Sequence, residues 1–234
     1  NPIILENNKN KINILKNKIK FKFNKIPDCY FVDITNPKHI KLNAKKLKKK
    51  YKYIDALVNN AARNPTFNNK AKSLSFKDYD INDWVKDCKI GLTGSILCTQ
   101  IYGSMIAKNP RGGTIINISS DLGLISPDQR IYKTKNSKFE KPVSYSVIKS
   151  GLIGLTKFTS TYWADKNVRC NCICPGGIKN NHSKSFLKKI NNLIPLGRMA
   201  KKNEYNGLIV FLLSDASSYI NGSVISADGG RTAW

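Results

Sequence analysis

A tyrosine and a lysine, Tyr145 and Lys149, stand four residues apart in the segment Tyr-Ser-Val-Ile-Lys. On a helix this spacing places both side chains on one face. Because an ammonium beside a phenol favours the phenolate, Lys149 is expected to lower the pKa of Tyr145 from about 10 towards neutral pH. Such a pair is suited to exchanging a proton with a carbonyl or alcohol oxygen. The spacing also arises by chance, so its meaning depends on the segments around it.

Four further segments accompany this pair along the chain. They are Asp55-Ala-Leu-Val-Asn-Asn-Ala-Ala62, Gly113-Thr-Ile-Ile-Asn-Ile-Ser-Ser120, Val168-Arg-Cys-Asn-Cys-Ile-Cys-Pro-Gly-Gly177 and Ala227-Asp-Gly-Gly230. Together with the Tyr–Lys pair they resemble the short-chain dehydrogenase/reductase family, from about Cys29 to the C-terminus. The resemblance implies an NAD(P)-dependent oxidoreductase that transfers hydride between nicotinamide and a carbonyl or secondary alcohol.

The resemblance assigns the chemistry to Ser120, Tyr145 and Lys149. Tyr145 would exchange the proton of the substrate oxygen, Ser120 would hydrogen-bond that oxygen, and Lys149 would also bind the nicotinamide ribose. Ser119 is the less favoured of the two adjacent serines. The family usually adds an asparagine that holds a relay water, and Gly91 stands at the matching position of this chain. This departure puts the relay in doubt.

The cofactor contacts that the resemblance implies follow the ends of the predicted strands. Besides Tyr145 and Lys149 they are Glu6, Asp33, Ile34, Asn59, Asn60, Ala61, Ala62, Pro175, Gly176, Gly177 and Ile178. A carboxylate at Glu6 would accept hydrogen bonds from the adenosine ribose and repel a 2'-phosphate, which favours NAD over NADP. Two alternatives stay open: Glu6 as a solvated residue after a frayed strand, and Asp33 as an acid at the entry of a helix.

Ser120 and Tyr145 are separated by 25 positions, about twice the spacing usual in the family. The extra stretch within residues 124–142 is expected to pass over the mouth of the active site, where loops carry specificity. Arginine and amide side chains are suited to phosphate or sugar hydroxyls. The candidates for substrate binding in this stretch are Gln129, Arg130 and Tyr132. A subunit-contact loop is the alternative.

Apolar runs of strand length alternate with segments of helical spacing along the 234 residues. Strands are predicted at 2–6, 29–33, 54–59, 114–119, 168–173 and 223–227, and helices at 7–25, 36–51, 81–109, 143–167 and 204–213. This alternation predicts one α/β domain, residues 1–234, with a doubly wound parallel sheet as in a Rossmann fold. No glycine precedes Gly91. The glycine-rich phosphate loop, with the first strand and helix, is therefore expected to be missing through N-terminal truncation, and a true variant without the loop is the alternative.

The chain carries a net charge of +25, from 34 Lys and 6 Arg against 15 acidic residues. Nucleic-acid readers rely on the arginine fork, and the lysines between Lys41 and Lys52 fall on the solvent face of a predicted helix. Neither nucleic acid nor a membrane is expected as a partner, since no apolar run reaches membrane-spanning length. A cytoplasmic location follows by default. The six cysteines lack the spacing of a zinc site, so no metal and buried, reduced thiols are expected.

The segment Ser-Ser-Asp-Leu-Gly, the insertion and Ile194-Pro-Leu-Gly-Arg-Met199 resemble a bacterial branch of the family associated with flagellin and surface-glycan sugar modification. The resemblance makes a sugar or nucleotide-sugar the expected small-molecule substrate. The alternatives are a 3-oxoacyl carrier-protein reductase and a non-catalytic binding or assembly subunit. Family members usually assemble through their long helices, so a homodimer or homotetramer is expected.

Overall fold

The computed structural model describes residues 1–63, 75–133 and 139–234. Within these ranges six strands alternate with helices. The strands are β1 Ile3–Glu6, β2 Asp28–Phe31, β3 Ala56–Asn59, β4 Gly113–Ile118, β5 Val168–Pro175 and β6 Val224–Ala227. The helices are α1 Lys9–Phe23, α2 Pro37–Lys50, α3 Ile81–Cys88, α4 Gly94–Cys98, α5 Ser104–Ile106, α6 Val143–Tyr162, α7 Lys184–Asn191 and α8 Asn206–Leu213. None of the described helices is long and apolar enough to cross a membrane.

The helix predicted over 81–109 is a continuous helical run that contains two π-helical turns. These turns, Lys89–Thr93 and Thr99–Gly103, separate α3, α4 and α5. Helix α7 has no counterpart in the sequence prediction. Its apolar side chains pack against those of the following loop, in a cluster that includes Ile190, Ile194 and Met199.

Helix α2 begins as its sequence predicts. The side chain of Asn36 accepts hydrogen bonds from the backbone N–H groups of Lys38 and His39, and Pro37 occupies the first turn. One face of the helix is buried, and the lysines of its last turn are exposed. The densest lysine run of the chain is therefore largely a solvated helix face.

All strand pairs are parallel, and they form two sheets in the orders β1-β2 and β3-β4-β5-β6. Neighbouring residues of β4 point to opposite faces: Ile115 packs with Ile106 of α5, and Ile116 packs with Leu212 of α8. Helices thus cover both faces of the sheet, which confirms the doubly wound α/β fold. Among the described residues β1 and β3 do not pair, although both pack into the cluster around Tyr102. The missing first strand and phosphate loop stay a prediction.

The fully buried Asn117 of β4 ties the sheet to two helical segments. Its Oδ1 accepts a hydrogen bond from Nδ2 of Asn59 at 2.8 Å, and its Nδ2 donates to Oγ1 of Thr156 in α6 at 2.8 Å. Asn59 Nδ2 also donates to Oγ1 of Thr99 at 3.0 Å. Because parallel strands share one carboxyl edge, this network holds the end of β3 at the edge where ligands bind in such folds.

Replacement of Asn117 by alanine is expected to lower the free energy of unfolding by about 2–4 kcal/mol, because Asn59 and Thr156 lose a buried partner. Urea unfolding followed by circular dichroism measures the change. Asn10→Ala on exposed α1 is the matched control and should alter stability by less than about 0.5 kcal/mol. Equal effects of the two substitutions would contradict a structural role of the network.

Candidate active site

Two reciprocal hydrogen bonds join the end of β4 to helix α6. The hydroxyl of Ser119 donates to the carbonyl oxygen of Lys149 at 2.7 Å, and Nζ of Lys149 donates to the carbonyl oxygen of Ile118 at 2.8 Å. Ser119 is thereby engaged with the backbone. The hydroxyl of the next serine, Ser120, donates to Asp121 and lies near enough to Tyr145 to act on the pKa of its phenol. The structure therefore brings the three predicted catalytic residues together.

Two ammonium groups flank the ring of Tyr145. Nζ of Lys149 lies 5.6 Å from the ring centroid, and Nζ of Lys141, which the sequence did not single out, lies 3.8 Å from it. Burial lowers the pKa of each lysine to about 8, and the carboxylate of Asp121 opposes this effect at Lys141. These lysines are more readily neutral than solvated ones.

Burial raises the pKa of Tyr145 above its ordinary value, because the phenolate is poorly solvated in the protein. The nearby hydroxyl of Ser120 acts in the opposite direction, and the carboxylate of Asp121 raises the pKa further. The expectation of a lowered tyrosine pKa is therefore wrong for the protein alone. Burial is the largest cause of the raised tyrosine pKa, and it also lowers the pKa of Lys149.

Ser120 is hydrogen-bonded to a buried ion pair formed by Asp121 and Arg231. Oδ1 of Asp121 accepts hydrogen bonds from the Ser120 hydroxyl at 2.7 Å and from the backbone N–H of Leu122 at 2.9 Å. Oδ2 accepts from the guanidinium of Arg231 at 2.9 Å. The adjacency of Asp121 to Ser120 was a usable sequence signal, whereas nothing in the sequence pointed to Arg231.

A second buried carboxylate supports the start of α6. Oδ2 of Asp87 accepts hydrogen bonds from the hydroxyls of Ser144 at 2.6 Å and Tyr79 at 2.9 Å. Its Oδ1 accepts from Arg63 at 2.8 Å. This network links the loop after β3 to the residue that precedes Tyr145.

Gly91 lies in the first π-helical turn, facing α6. A Cβ atom there would stand 2.7 Å from Cγ2 of Ile148, closer than real Cβ contacts. An asparagine at this position would force Ile148 or the helix itself to shift. The close approach of the two helices leaves little room for a side chain at this position, where the resemblance places a relay asparagine.

The predicted adenosine-side residues lie at the carboxyl edge of β1 and β2. Oε1 of Glu6 accepts from the backbone N–H of Asn8 at 3.0 Å. Oδ1 of Asp33 accepts from the N–H and the hydroxyl of Thr35, both at 2.8 Å. Ile34 packs against Gly94 of α4, where an added Cβ would stand 2.7 Å from its Cδ1.

The remaining predicted cofactor residues follow β3 and β5 at the same edge. Beyond the buried Asn59, the residues Asn60, Ala61 and Ala62 are exposed. After Pro175, the N–H of Gly176 donates to the carbonyl of Ala227 at 2.9 Å, and the carbonyls of Gly176 and Gly177 accept from Tyr205 and Ala200. Ile178 forms an isolated bridge with Ala200. A cleft of about 580 Å³ adjoins this loop and is lined in part by Gly176, Gly177 and Asp228.

This set of groups fits a nicotinamide dinucleotide. The carboxylates at the ends of β1 and β2 are acceptors suited to a ribose diol, and the small residues after β3 leave the backbone accessible. Lys149 and Tyr145 lie on α6, the helix that follows β4 in the chain, and β4 is the neighbour of β3 in the sheet. No group of three or more His, Cys, Asp or Glu side chains in the described part of the chain is arranged to hold a metal ion.

The described part of the insertion comprises residues 124–133 and 139–142, and residues 134–138 lie outside the described ranges. Several of its contacts are made within the insertion itself. The amide of Gln129 bonds both the N–H and the carbonyl of Lys141, at 2.8 and 3.0 Å. The exposed Arg130 pairs with Asp128 through two nitrogens, and the ring of Tyr132 packs against Phe139 and Phe186. Substrate binding by Gln129, Arg130 and Tyr132 stays a prediction.

A family model described as enoyl-(acyl carrier protein) reductase matches residues 4–232. The crystal structure of a short-chain dehydrogenase from Leptospira borgpetersenii with bound NAD+ superposes with a TM-score of 0.83 at 29% identity, over 98% of this chain and 82% of that one. The chain belongs to the short-chain dehydrogenase/reductase family.

Two relatives within the family carry different names. A 3-oxoacyl-[acyl-carrier-protein] reductase of Thermotoga maritima is 33% identical over 208 residues, which are 87% of this chain and 76% of that protein. A post-translational flagellin modification protein A of Campylobacter coli is 28% identical over 228 residues, 97% of this chain and 87% of that protein. The family resemblance is confirmed, and this family member is an NAD(P)-dependent oxidoreductase. The non-catalytic alternative is set aside.

Lys149→Met is expected to raise the free energy of unfolding at pH 7 by about 1–3 kcal/mol. The folded-state pKa near 8 lies below the ordinary 10.5. Between pH 8 and pH 10.5 the unfolded chain binds more protons than the folded protein. The destabilisation by Lys149 is therefore fully present below pH 8 and fades as the pH rises from 8 to 10.5.

Urea unfolding of both proteins at pH 7 and pH 10.5 measures this difference. Lys157→Met, at an exposed position of the same helix, is the control and should give the same small change at both pH values. A stability gain for Lys149→Met that does not shrink at high pH would show that burial of the ammonium is not its source.

Proposed function

We propose that this oxidoreductase acts on a carbonyl or secondary alcohol of a sugar or nucleotide-sugar in surface-glycan biosynthesis. The observation that carries the proposal is a cleft of about 340 Å³ built by the insertion at the start of α6. Lys141 lines this cleft, and its ammonium lies 3.8 Å from the ring centroid of Tyr145. The cleft thus adjoins a side chain that contacts the ring of the proposed catalytic tyrosine.

In the proposed reaction Tyr145 gives a proton to the substrate oxygen in reduction, or takes it in oxidation. Ser120 hydrogen-bonds the same oxygen and supports the charge that develops on it. Lys149, fixed by the carbonyl oxygen of Ile118, binds the nicotinamide ribose. The nicotinamide, when bound, supplies or accepts the hydride. The burial of Tyr145 favours its protonated, donating form.

The lining of the cleft supports a hydroxyl-rich substrate. Oγ of Ser146 is buried there and has no hydrogen-bond partner among the described residues. Lys141 and Glu140 add charged groups, while Phe76 and Pro127 offer flat apolar surfaces against which a sugar ring can pack. A turn of the Ser146 side chain would bring its hydroxyl to a sugar hydroxyl in the cleft and satisfy it, since buried polar atoms are normally hydrogen-bonded. The relative named for flagellin modification, aligned over 97% of this chain, points the same way.

A second candidate is reduction of a 3-oxoacyl group carried by acyl carrier protein. The Thermotoga maritima relative, 33% identical over 87% of this chain, favours it. A net charge of +25 also suits an acidic protein partner, because complementary charge speeds association. The first candidate requires a sugar in the cleft, and the second requires a 3-oxoacyl group there.

We further propose a preference for NAD and an assembly as a homodimer or homotetramer. The carboxylate of Glu6 at the end of β1 supports the first proposal, since it would repel a 2'-phosphate. Exposed apolar side chains support the second: Val85 on α3 is 55% exposed, and Phe158 on α6 is 63% exposed. Such a helix surface is typical of subunit contacts.

Tyr145→Phe is expected to lower kcat by about a thousandfold, because only the group that exchanges the proton is lost. Affinity for NADH, measured by fluorescence titration, should stay within about twofold of the unmodified protein, since the ring remains in place. A variant with more than a tenth of the original kcat would remove Tyr145 from its proposed role.

The two substrate candidates are separated by measuring kcat/KM for a UDP-linked keto-sugar and for acetoacetyl-acyl carrier protein. Ser146→Ala should raise KM for the keto-sugar by about five- to tenfold, the value of one lost hydrogen bond, and leave the acyl substrate unaffected. Lys157→Met, away from the cleft, serves as the control for both substrates. A higher kcat/KM for the acyl substrate, unaltered by Ser146→Ala, would favour the second candidate.

A further inference from the structure

The ammonium of Lys141 lies over the ring of Tyr145. Its Nζ is 3.8 Å from the ring centroid, whereas Nζ of Lys149 is 5.6 Å from it. A cation this close to an aromatic face is attracted by the negative face of the ring. The attraction is larger when the phenol becomes a phenolate, because the phenolate carries a full negative charge. Lys141 is therefore placed to act on the charge that Tyr145 acquires when it gives up its proton.

The insertion holds the backbone of Lys141 in this place. Nε2 of Gln129 donates to the carbonyl oxygen of Lys141 at 3.0 Å, and the N–H of Lys141 donates to Oε1 of Gln129 at 2.8 Å. One side-chain amide thus pairs with both backbone groups of a single residue. The next residue, Pro142, is buried, and its ring restricts φ immediately before α6. The side chain of Lys141 therefore starts from a fixed point near the ring of Tyr145.

The positive charge of Lys141 depends on pH near neutrality, because burial lowers its pKa to about 8. The titratable and charged groups that act on it or contact it in the described part of the chain come from the turn after β4 and from α6: Asp121, Tyr145 and Lys149. The carboxylate of Asp121 favours the ammonium, and Lys149 disfavours it. The adjacent Glu140 is engaged elsewhere, 3.8 Å from Nζ of Lys133. Lys141 is therefore charged at pH 7 and becomes neutral as the pH rises through 8.

We propose that Lys141, fixed by Gln129, is a positioning residue that holds a second positive charge on the ring of Tyr145 and stabilises the tyrosinate formed when the proton moves to the substrate. The proposal rests on the proposed role of Tyr145 in proton exchange. In reduction the carbonyl carbon receives hydride from the reduced nicotinamide, and its oxygen takes the Tyr145 proton. The electron pair of the broken O–H bond stays on the phenolate, beside the ammonium of Lys141, until water returns a proton.

The first test compares kcat for whichever of the UDP-linked keto-sugar and acetoacetyl-acyl carrier protein the protein reduces. Lys141→Met should lower kcat at pH 7 by about tenfold, because the tyrosinate loses a neighbouring cation. Lys141→Arg keeps the charge and should recover most of the rate. Lys133→Met, which removes a lysine of the same insertion that pairs with Glu140, is the matched control and should leave kcat unchanged. Equal kcat for Lys141→Met and the unmodified protein would overturn the proposal.

A pH profile separates the effect of the charge from a structural effect. The kcat of the unmodified protein divided by that of Lys141→Met should be about ten below pH 8 and fall towards one as the pH rises through 8, because a neutral lysine no longer stabilises the tyrosinate. The ratio removes the titration of Lys149, which both proteins retain. A ratio that stays the same across this range would indicate a purely structural role and overturn the proposal.

The role of Gln129 is tested by combining two substitutions. Gln129→Ala should lower kcat of the unmodified protein and have no further effect on Lys141→Met, since its proposed role is to hold Lys141. A rise in KM at unchanged kcat would instead place Gln129 against the substrate and overturn its part in the proposal.

The contact between Lys141 and the ring is measured without any substrate, by NMR titration of the reductively methylated lysines. Tyr145→Leu should lower the pKa of Lys141 by about half a unit, whereas Tyr145→Phe keeps the ring and should leave that pKa nearly unchanged. Equal pKa values of Lys141 in the two variants would overturn the proposal. High activity of Tyr145→Phe would overturn the proposed role of Tyr145 itself, so the two failures are distinguishable.

Discussion

The pair of hydrogen bonds between the end of β4 and helix α6 is the constraint on which the site depends. Ser119 bonds the backbone of Lys149, and the side chain of Lys149 bonds the backbone of Ile118. Each bond contributes only about 1 kcal/mol to stability. Their importance is geometric, because they fix the distance between the strand that carries Ser120 and the helix that carries Tyr145.

Helix α6 is held from other directions as well. Because Gly91 has no side chain, the helical run that contains it packs directly against Ile148 of α6. Asp87 bonds Ser144 beneath its first turn, and Thr156 is tied to Asn117 in the sheet. A helix held at its start and along its middle can keep a tyrosine in a buried position where its proton is held more tightly. Such burial of charged and polar groups lowers stability, which is common at functional sites.

Local sequence patterns determined much of this architecture. The alternation of apolar strands and helices predicted the doubly wound sheet, and Asn36-Pro37 marked the start of α2, because caps and periodicity act over only a few residues. Helix α7 and the two π-helical turns escaped prediction. A helix of eight residues has a weak periodic signal, and π-helical turns are set by packing against other elements.

At the candidate active site, too, the sequence predicted some features and the tertiary structure decided others. The sequence by itself predicted Ser120, Tyr145 and Lys149 as catalytic residues, from the Tyr–Lys spacing and from the segment that ends in Ser120. Only the tertiary structure decided their electrostatics. Asp121 and Arg231 are 110 residues apart and meet because β6 leads the C-terminal segment back to the end of β4. The raised pKa of the tyrosine follows first from its burial, which no local stretch of the chain encodes.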